Sequence, residues 1–347
     1  MDTAVILHGS DYVKKTLLTA GLLVLAMSVA QAQKLTAAGA TFPYPIYSKW
    51  FGEYSTAHPG VEVNYAPIGS GGGIAQVTKG LVDFGASDMP MTDDMLSSSP
   101  VKLIHLPTVL GAVVPIYNVP GVKNLRLSPD VLADIYLGKI SNWNDGRIAK
   151  DNPDAKLPDQ KIIVVHRSDG SGTSFIWTDY LSKVSKEWSD GPGRGAALAW
   201  PVGVAGKGNP GVAGLVRQLP GSIGYVDLID AIKNNITYAT VKNAAGNWIT
   251  ASIESVTAAA ASVNMKQMST DYRVSITNAA GANAYPISSF TYLLVPLKGT
   301  NQTNRTVLKD LLSWILKSGQ GQVSALSYAP LPQGIVDKEL KTVYALQ

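Results

Sequence analysis

The stretch Lys161-Ile162-Ile163-Val164-Val165-His166-Arg167-Ser168-Asp169-Gly170-Ser171-Gly172-Thr173-Ser174-Phe175 decides how this chain is read. Its first five residues are a β-branched run that predicts a buried strand over 161–165. From Phe175 the apolar residues Ile176, Trp177, Tyr180 and Leu181 predict an amphipathic helix over 175–181. The glycines and hydroxyls therefore fall on a strand-to-helix turn. There the first N–H groups of the helix lack intrahelical partners, and the dipole end is positive. Gly170 and Gly172 let a ligand approach the backbone, Ser171 and Thr173 add hydroxyl donors, and Arg167 adds a fixed charge with a two-pronged set of donors. Such a turn suits an oxyanion. Taken alone, Gly-Ser-Gly-Thr is an ordinary capped turn; Arg167 and Asp169 beside it are what point to a ligand.

The same pattern recurs upstream. A strand over 35–40 leads through Thr41-Phe42-Pro43-Tyr44-Pro45 into a helix over 46–57, which puts Thr41 at or near an N-cap. A strand over 61–65 leads through Ile68-Gly69-Ser70-Gly71-Gly72-Gly73 into a short helix over 74–80. A glycine-serine linker is seldom wedged between a strand and a helix, so this is read as a third helix start facing an anion. The run 82–90 is strand-like and ends on Asp88, which by itself reads as a cap or turn former.

Further along, the apolar run 103–114 is a strand that leaves a first unit, broken by Tyr117-Asn118-Val119-Pro120-Gly121. A helix over 128–137, a loop-rich stretch over 138–154, and helices near 175–184 and 211–219 follow. Strands are predicted over 221–226 and 236–241 and a helix over 253–263. The run 285–295 is the strand that returns to the first unit, and helices over 305–317, 320–326 and 336–345 close the chain. Strands alternating with helices define an α/β class with mostly parallel sheets.

The chain has 347 residues, 46% hydrophobic and 16% charged, which is a globular composition for about two domains. A net charge of +4 implies neither a nucleic-acid stripe nor a polybasic membrane patch. Lys14-Lys15, an apolar core over 17–29 and Ala30-Gln31-Ala32 predict a signal peptide, residues 1–32, cleaved after Ala32. Its apolar run is too short for a membrane span. Asp2 and Asp11 offset the two lysines, so a start at Val13 from an alternative initiation codon is expected instead. The absence of cysteine removes disulfides, thiolate metal sites, a cysteine nucleophile and a lipid-anchor cysteine, and together these features point to the bacterial periplasm.

Four motifs carry a family likeness. Ala38-Gly39-Ala40-Thr41-Phe42-Pro43, Gly69-Ser70-Gly71-Gly72-Gly73, Asp83-Phe84-Gly85-Ala86-Ser87-Asp88 and Asp169-Gly170-Ser171-Gly172-Thr173-Ser174-Phe175 resemble those of the periplasmic phosphate-binding proteins, the substrate-binding components of ABC phosphate importers. Asp134-Ile135-Tyr136-Leu137-Gly138-Lys139-Ile140, Leu219-Pro220-Gly221-Ser222-Ile223-Gly224-Tyr225 and Tyr285-Pro286-Ile287 extend the likeness over essentially the whole mature chain, in order. It implies a two-lobed periplasmic-binding-protein fold of type II, each lobe a mostly parallel sheet flanked by helices. Residues 33–117 and 286–347 would form lobe I and residues 118–285 lobe II. A two-stranded hinge would lie near 117–119 and 284–287, with the ligand in the cleft. The implied phosphate ligands are Thr41, Phe42 through its backbone N–H, Ser70, Asp88, Arg167, Ser171, Gly172 and Thr173, with Asp169 fixing the Arg167 guanidinium. His166 stands where members of that family carry a second basic residue, and tuning rather than loss of binding is expected. The implied partners are inorganic phosphate and the permease subunits of the importer. The protein is expected to be a monomer with no cofactor, no metal, no nucleic acid and no stable membrane insertion.

Within that reading Asp88 is the informative residue, because a carboxylate repels an anion unless the ligand brings a proton. Hydrogen phosphate does and sulfate does not, and a site built to pair a ligand hydroxyl rejects an analogue lacking it by about 10⁴–10⁵-fold. The rival readings are a secreted phosphatase or other phosphoester enzyme, and a sensor of another oxyanion. Ser171 lacks the G-x-S-x-G elbow, the four histidines form no cluster with acids, and neither glycine turn matches a dinucleotide or P-loop spacing. No catalytic residue is therefore assigned.

Overall fold

The computed structural model describes residues 33–262, 271–299 and 301–347. The predicted signal peptide, residues 1–32, lies outside them, as does Val263 at the end of the helix predicted over 253–263. In chain order the first elements are β1 (Gln33–Gly39), α1 (Tyr44–Ala57), β2 (Val61–Pro67), α2 (Ser70–Thr78), β3 (Phe84–Ser87), α3 (Asp93–Ser98) and β4 (Leu103–Asn118). Next come β5 (Arg126–Leu127), α4 (Pro129–Tyr136), α5 (Gly146–Asp151), β6 (Ile163–Arg167), α6 (Gly172–Val184), α7 (Lys186–Asp190), β7 (Val204–Gly206) and α8 (Gly208–Gln218). The chain ends with β8 (Ser222–Asp227), α9 (Leu228–Lys233), β9 (Thr240–Lys242), β10 (Trp248–Ile249), α10 (Ile253–Ala260), β11 (Ser288–Pro296), α11 (Gln302–Lys317), a 3₁₀ segment (Gly319–Leu326) and α12 (Gln333–Ala345).

Eight strands form one sheet in the order β2-β1-β3-β11-β4-β8-β6-β7, and β10-β9-β5 form a small second sheet. The expected parallel character holds at the two ends, where β1 pairs with β2 and β3, and β6 with β8 and β7. The middle is antiparallel: β11 runs against both β3 and β4, and β4 against β8. The sheet is mixed because β11 returns after a long stretch from the helix ending at Ala260 and inserts antiparallel between β3 and β4, which are themselves linked through α3 and run parallel to each other. β4 spans two environments. Its residues from Leu103 to Ala112 pair with β11, and those from Val113 to Asn118 pair with β8. Nearly every residue of this strand is buried, which is why it reads as one apolar run. Pro107 offers no N–H, and the β4–β11 register slips between Thr291 and Tyr292 opposite it, leaving Thr108 as the extra residue of a bulge.

Helices cover the sheet. Tyr47, Trp50, Phe51 and Tyr54 of α1 are buried, with Tyr47 packed on Tyr65 at 5.5 Å between ring centres. At the other end Tyr136, Trp177, Trp200 and Tyr225 stack into a second aromatic block, Trp177 on Tyr225 at 5.0 Å. Buried aromatic area of this kind contributes most to holding an α/β layer together.

Several predicted boundaries shift. The strand predicted over 161–165 runs over 163–167 and carries Arg167 at its very end. The strand predicted over 236–241 shrinks to β9, which begins at Thr240 in the small sheet. The helix predicted from 74 starts at Ser70, so the glycine triplet is the helix's first turn rather than a turn before it. Thr41 is not the N-cap of α1; that position falls to Pro43, which has no side-chain hydrogen bond to offer.

A candidate oxyanion site between facing helix starts

The organising turn folds as a cap. Ser171 is the N-cap of α6, and its Oγ accepts from the Ser174 N–H at 3.0 Å. Accepting there leaves the hydroxyl hydrogen free to be donated to something else. Gly172 and Thr173 follow as the first residues of the helix, both buried, so their N–H groups point outward with no partner one turn back.

Across from them lie the first turn of α2 and the end of β3. Ser70 is buried at the start of α2, and its Oγ accepts from the Asp88 N–H at 3.1 Å. The approach is close: a Cβ on Gly172 would sit 2.3 Å from Ser70 Oγ and 2.6 Å from Asp88 Oδ2. Only hydrogen fits there. A backbone hydrogen bond from the Gly71 N–H to the Gly170 carbonyl, 2.9 Å, ties the two sides beside this point. Gly69, at φ +88°, allows the sharp entry into α2 under the Asp169 carboxylate, which a Cβ would meet at 2.4 Å.

Arg167 is 4% exposed at the end of β6. Its Nε donates to Asp169 Oδ1 at 2.8 Å and one Nη to Asp169 Oδ2 at 2.6 Å, a two-pronged pair. The other Nη donates to Asn209 Oδ1 and, at 3.4 Å, to Thr173 Oγ1. Burial pushes the Asp169 carboxyl up, but Arg167 and the Gly208 N–H outweigh it and hold it below the usual carboxylate range. Adjacent in sequence, His166 points to the other face of the strand, as alternation requires, and stacks on Trp200 at 4.9 Å between ring centres. Burial lowers its pKa, so it stays neutral at pH 7 and adds no charge to the site.

Asp88 is 1% exposed, and burial pushes its carboxyl up to about 7 against the pull of Thr291, Arg167 and Ser70. Thr291 donates to Asp88 Oδ1 at 2.7 Å, which leaves Oδ2 as the oxygen turned toward Gly172. Thr41 lies on the turn before α1, and its Oγ1 accepts from the Asn209 N–H at 3.5 Å. Phe42 is buried with its ring against Gly111, and its carbonyl accepts from the Tyr328 hydroxyl at 2.5 Å.

These contacts link Thr41, Ser70, Asp88, Arg167, Gly172 and Thr173 around one buried region, Ser171 stands beside Gly172 as the helix cap, and Phe42 joins through its ring and carbonyl. The structure also brings in residues the sequence reading missed: Thr291, Asn209, Asp227 and Tyr328. Asn209 carried a faint signal, since Lys207-Gly208-Asn209-Pro210-Gly211 is a turn-forming run before a helix. The assembly offers helix starts, hydroxyls and one guanidinium converging on one buried point, plus one carboxyl that can accept a proton. That set can hold a tetrahedral oxyanion carrying a hydrogen. Among the described residues no group of His, Cys, Asp or Glu could hold a metal ion.

A PBP superfamily domain model matches residues 26–318. The chain is 44% identical over 314 residues to the phosphate-binding protein PstS of Xylella fastidiosa, covering 90% of this chain and 85% of that one. It is 43% identical to the PstS of Pasteurella multocida, covering 94% of each. In fold it is similar to a phosphate-binding protein of Stenotrophomonas maltophilia (TM-score 0.68, 20% identity, 89% of this chain and 94% of that one). It is similar also to a high-affinity periplasmic phosphate-binding protein solved with phosphate bound (TM-score 0.70, 22% identity, 88% and 93%).

Proposed function

We propose, since the chain belongs to the PBP superfamily and within it to the PstS family of phosphate-binding proteins, that it binds inorganic phosphate and delivers it to an ABC importer. The observation that carries this is the pairing of a buried Arg167 with a buried Asp88 in one site. The arginine neutralises an anion, and the carboxyl demands that the anion bring a proton. In this reading Thr41, the Phe42 N–H, Ser70, Asp88, Arg167, Ser171, the Gly172 N–H and Thr173 are the ligand groups, and Asp169 locks the guanidinium.

The reading includes a division of the chain at the cleft, with residues 33–117 and 286–347 as lobe I and 118–285 as lobe II. The change of partner along β4, between Ala112 and Val113, supports a division within that strand, and the contacts at Gly172 support two facing sides. Ligand contacts drawn from both lobes favour the closed state, and closure is what a permease would recognise. The protein acts as a solute-binding component with no turnover of its own, as a monomer in the periplasm, exported by the signal peptide of residues 1–32. No helix among the described residues is long and apolar enough to cross a membrane. Ser171 supports the absence of turnover, because its oxygen serves the helix cap and His166 faces away from it.

Equilibrium dialysis with labelled phosphate tests the assignment. Arg167→Ala is expected to weaken binding by about 100-fold or more, the worth of its charged hydrogen bonds. Undiminished binding by that variant would remove Arg167 from the site.

A further inference from the structure

Helix α8 opens with Gly208 and Asn209, and both attend the same guanidinium. The Gly208 N–H donates to Asp169 Oδ1 at 3.0 Å, which is the oxygen Arg167 Nε uses. The Asn209 side chain accepts directly from an Arg167 Nη. Arginine has only donors, so the amide must turn its oxygen there and its NH₂ the other way. On that other side lies Asp227, 1% exposed at the end of β8, whose Oδ1 accepts from Asn209 Nδ2 at 3.1 Å. Asp227 therefore fixes which end of the amide faces Arg167.

Two contacts cross the cleft from this group. The Asn209 N–H donates to Thr41 Oγ1, leaving the Thr41 hydroxyl hydrogen for a ligand. The Tyr328 hydroxyl reaches Asp227 Oδ2 at 3.4 Å while donating to the Phe42 carbonyl at 2.5 Å. Tyr328 is held for this role. The next residue, Ala329, exchanges backbone hydrogen bonds with Leu110 of β4 at 3.0 and 2.9 Å, and the Tyr328 ring packs edge-on against Phe42. Asn209, Asp227 and Tyr328 are each buried, and none of the three is among the ligand groups.

We propose that Asn209 is a positioning residue for the anion site, aiming Arg167 from one side of the cleft and Thr41 from the other. Asp227 holds it from its own side, and Tyr328 joins that hold from across the cleft only while the two sides are together. The chain Phe42–Tyr328–Asp227–Asn209–Arg167 then makes the grip on the ligand depend on closure, and it slows release rather than speeding capture. This inference rests on the phosphate-binding reading above.

The test is a double-mutant cycle read by stopped-flow phosphate association and dissociation on the phosphate-stripped protein. Asn209→Ala is expected to raise the dissociation rate by roughly 10–100-fold, the range typical of groups that orient a ligand-contacting side chain. Its association rate is expected to stay within about threefold, since interface changes act mostly on dissociation. Tyr328→Phe keeps the ring and is expected to raise the dissociation rate several-fold with an unchanged ligand-free thermal midpoint, which a merely structural hydroxyl would lower. The double variant is expected to dissociate more slowly than the product of the two effects. Multiplicative effects, or unaltered dissociation in either single variant, would overturn the chain. A wild type that fails to take up phosphate at all would overturn the functional reading first and this inference with it.

Discussion

Asp88 sits where a carboxylate would repel an anion, and its surroundings decide what it accepts. Burial pushes its pKa up to about 7, so in the closed cleft it is a carboxylate above that pH and a neutral donor below it. Phosphate tolerates both states: a monoanion facing the carboxylate and a dianion facing the protonated acid carry the same total proton count. Sulfate has no proton to give and binds only the protonated acid. Sulfate affinity is therefore expected to be level below about pH 6 and to fall about tenfold per pH unit above pH 7, while Asp88→Asn is expected to bind sulfate with no such slope. Calorimetry across pH 5 to 9 measures both. A pH-independent rejection of sulfate by the wild type, or retained rejection by the variant, would contradict this role. At this scale the candidate ligand residues stood out because glycine, hydroxyl and arginine cluster in short stretches. Thr291 was not: in Phe290-Thr291-Tyr292 it looks like any strand threonine, and its bond to Asp88 spans 203 positions. Only the antiparallel entry of β11 beside β3 and the bulge opposite Pro107 place it there. Asn209 was hidden for a similar reason, since its partners come from three separate elements.

The helix starts carry the site, and the facing starts of α6 and α2 are packed without room for a methyl group. Gly172→Ala introduces no backbone strain, because the residue lies in the first turn of a helix and its φ is not positive. The clash with Ser70 and Asp88 exists only when the two sides meet. Phosphate affinity is expected to drop by at least about 100-fold, while the ligand-free thermal midpoint holds or rises slightly from the better helix propensity. A Gly172→Ala protein that binds as tightly as wild type would mean that the cleft does not close this far. Helix α12 offers an independent check on the core. Glu339 is buried with neither carboxyl oxygen hydrogen-bonded among the described residues, and burial raises its pKa well above the ordinary value. The folded state then holds a proton that the unfolded chain releases near pH 4.3, about the free carboxyl value. This contribution is present below that pH and lost as pH rises through the folded value. Glu339→Gln is expected to gain thermal stability over the wild type as pH rises from 5 to 9; a constant difference would show that the fold does not raise the Glu339 pKa. Element types were legible from periodicity, but starts were not. Ser70 begins α2 because a glycine triplet can enter a helix when tertiary contacts hold it, which overrides its poor intrinsic propensity.

For the whole molecule, the alternation of strands and helices was enough to reveal an α/β architecture, and the motif order revealed the family. The sheet's antiparallel centre was not readable, because the direction of β11 depends on a return from residues more than a hundred positions downstream of β4. Nor does local pattern show that one strand, β4, serves two sets of neighbours. These features put the facing starts of α6 and α2 beside the carboxyl of Asp88, with the buried Arg167 guanidinium close by. The central claim is that this site recognises an oxyanion by its charge and by its proton together. The most direct test is calorimetric titration of the phosphate-stripped mature protein at pH 8 with phosphate and, separately, with sulfate. Tight one-to-one phosphate binding is the result expected, with sulfate binding far weaker than phosphate and about tenfold or more below its own level at pH 6. Sulfate binding of comparable strength, or binding of neither ion, would contradict the account.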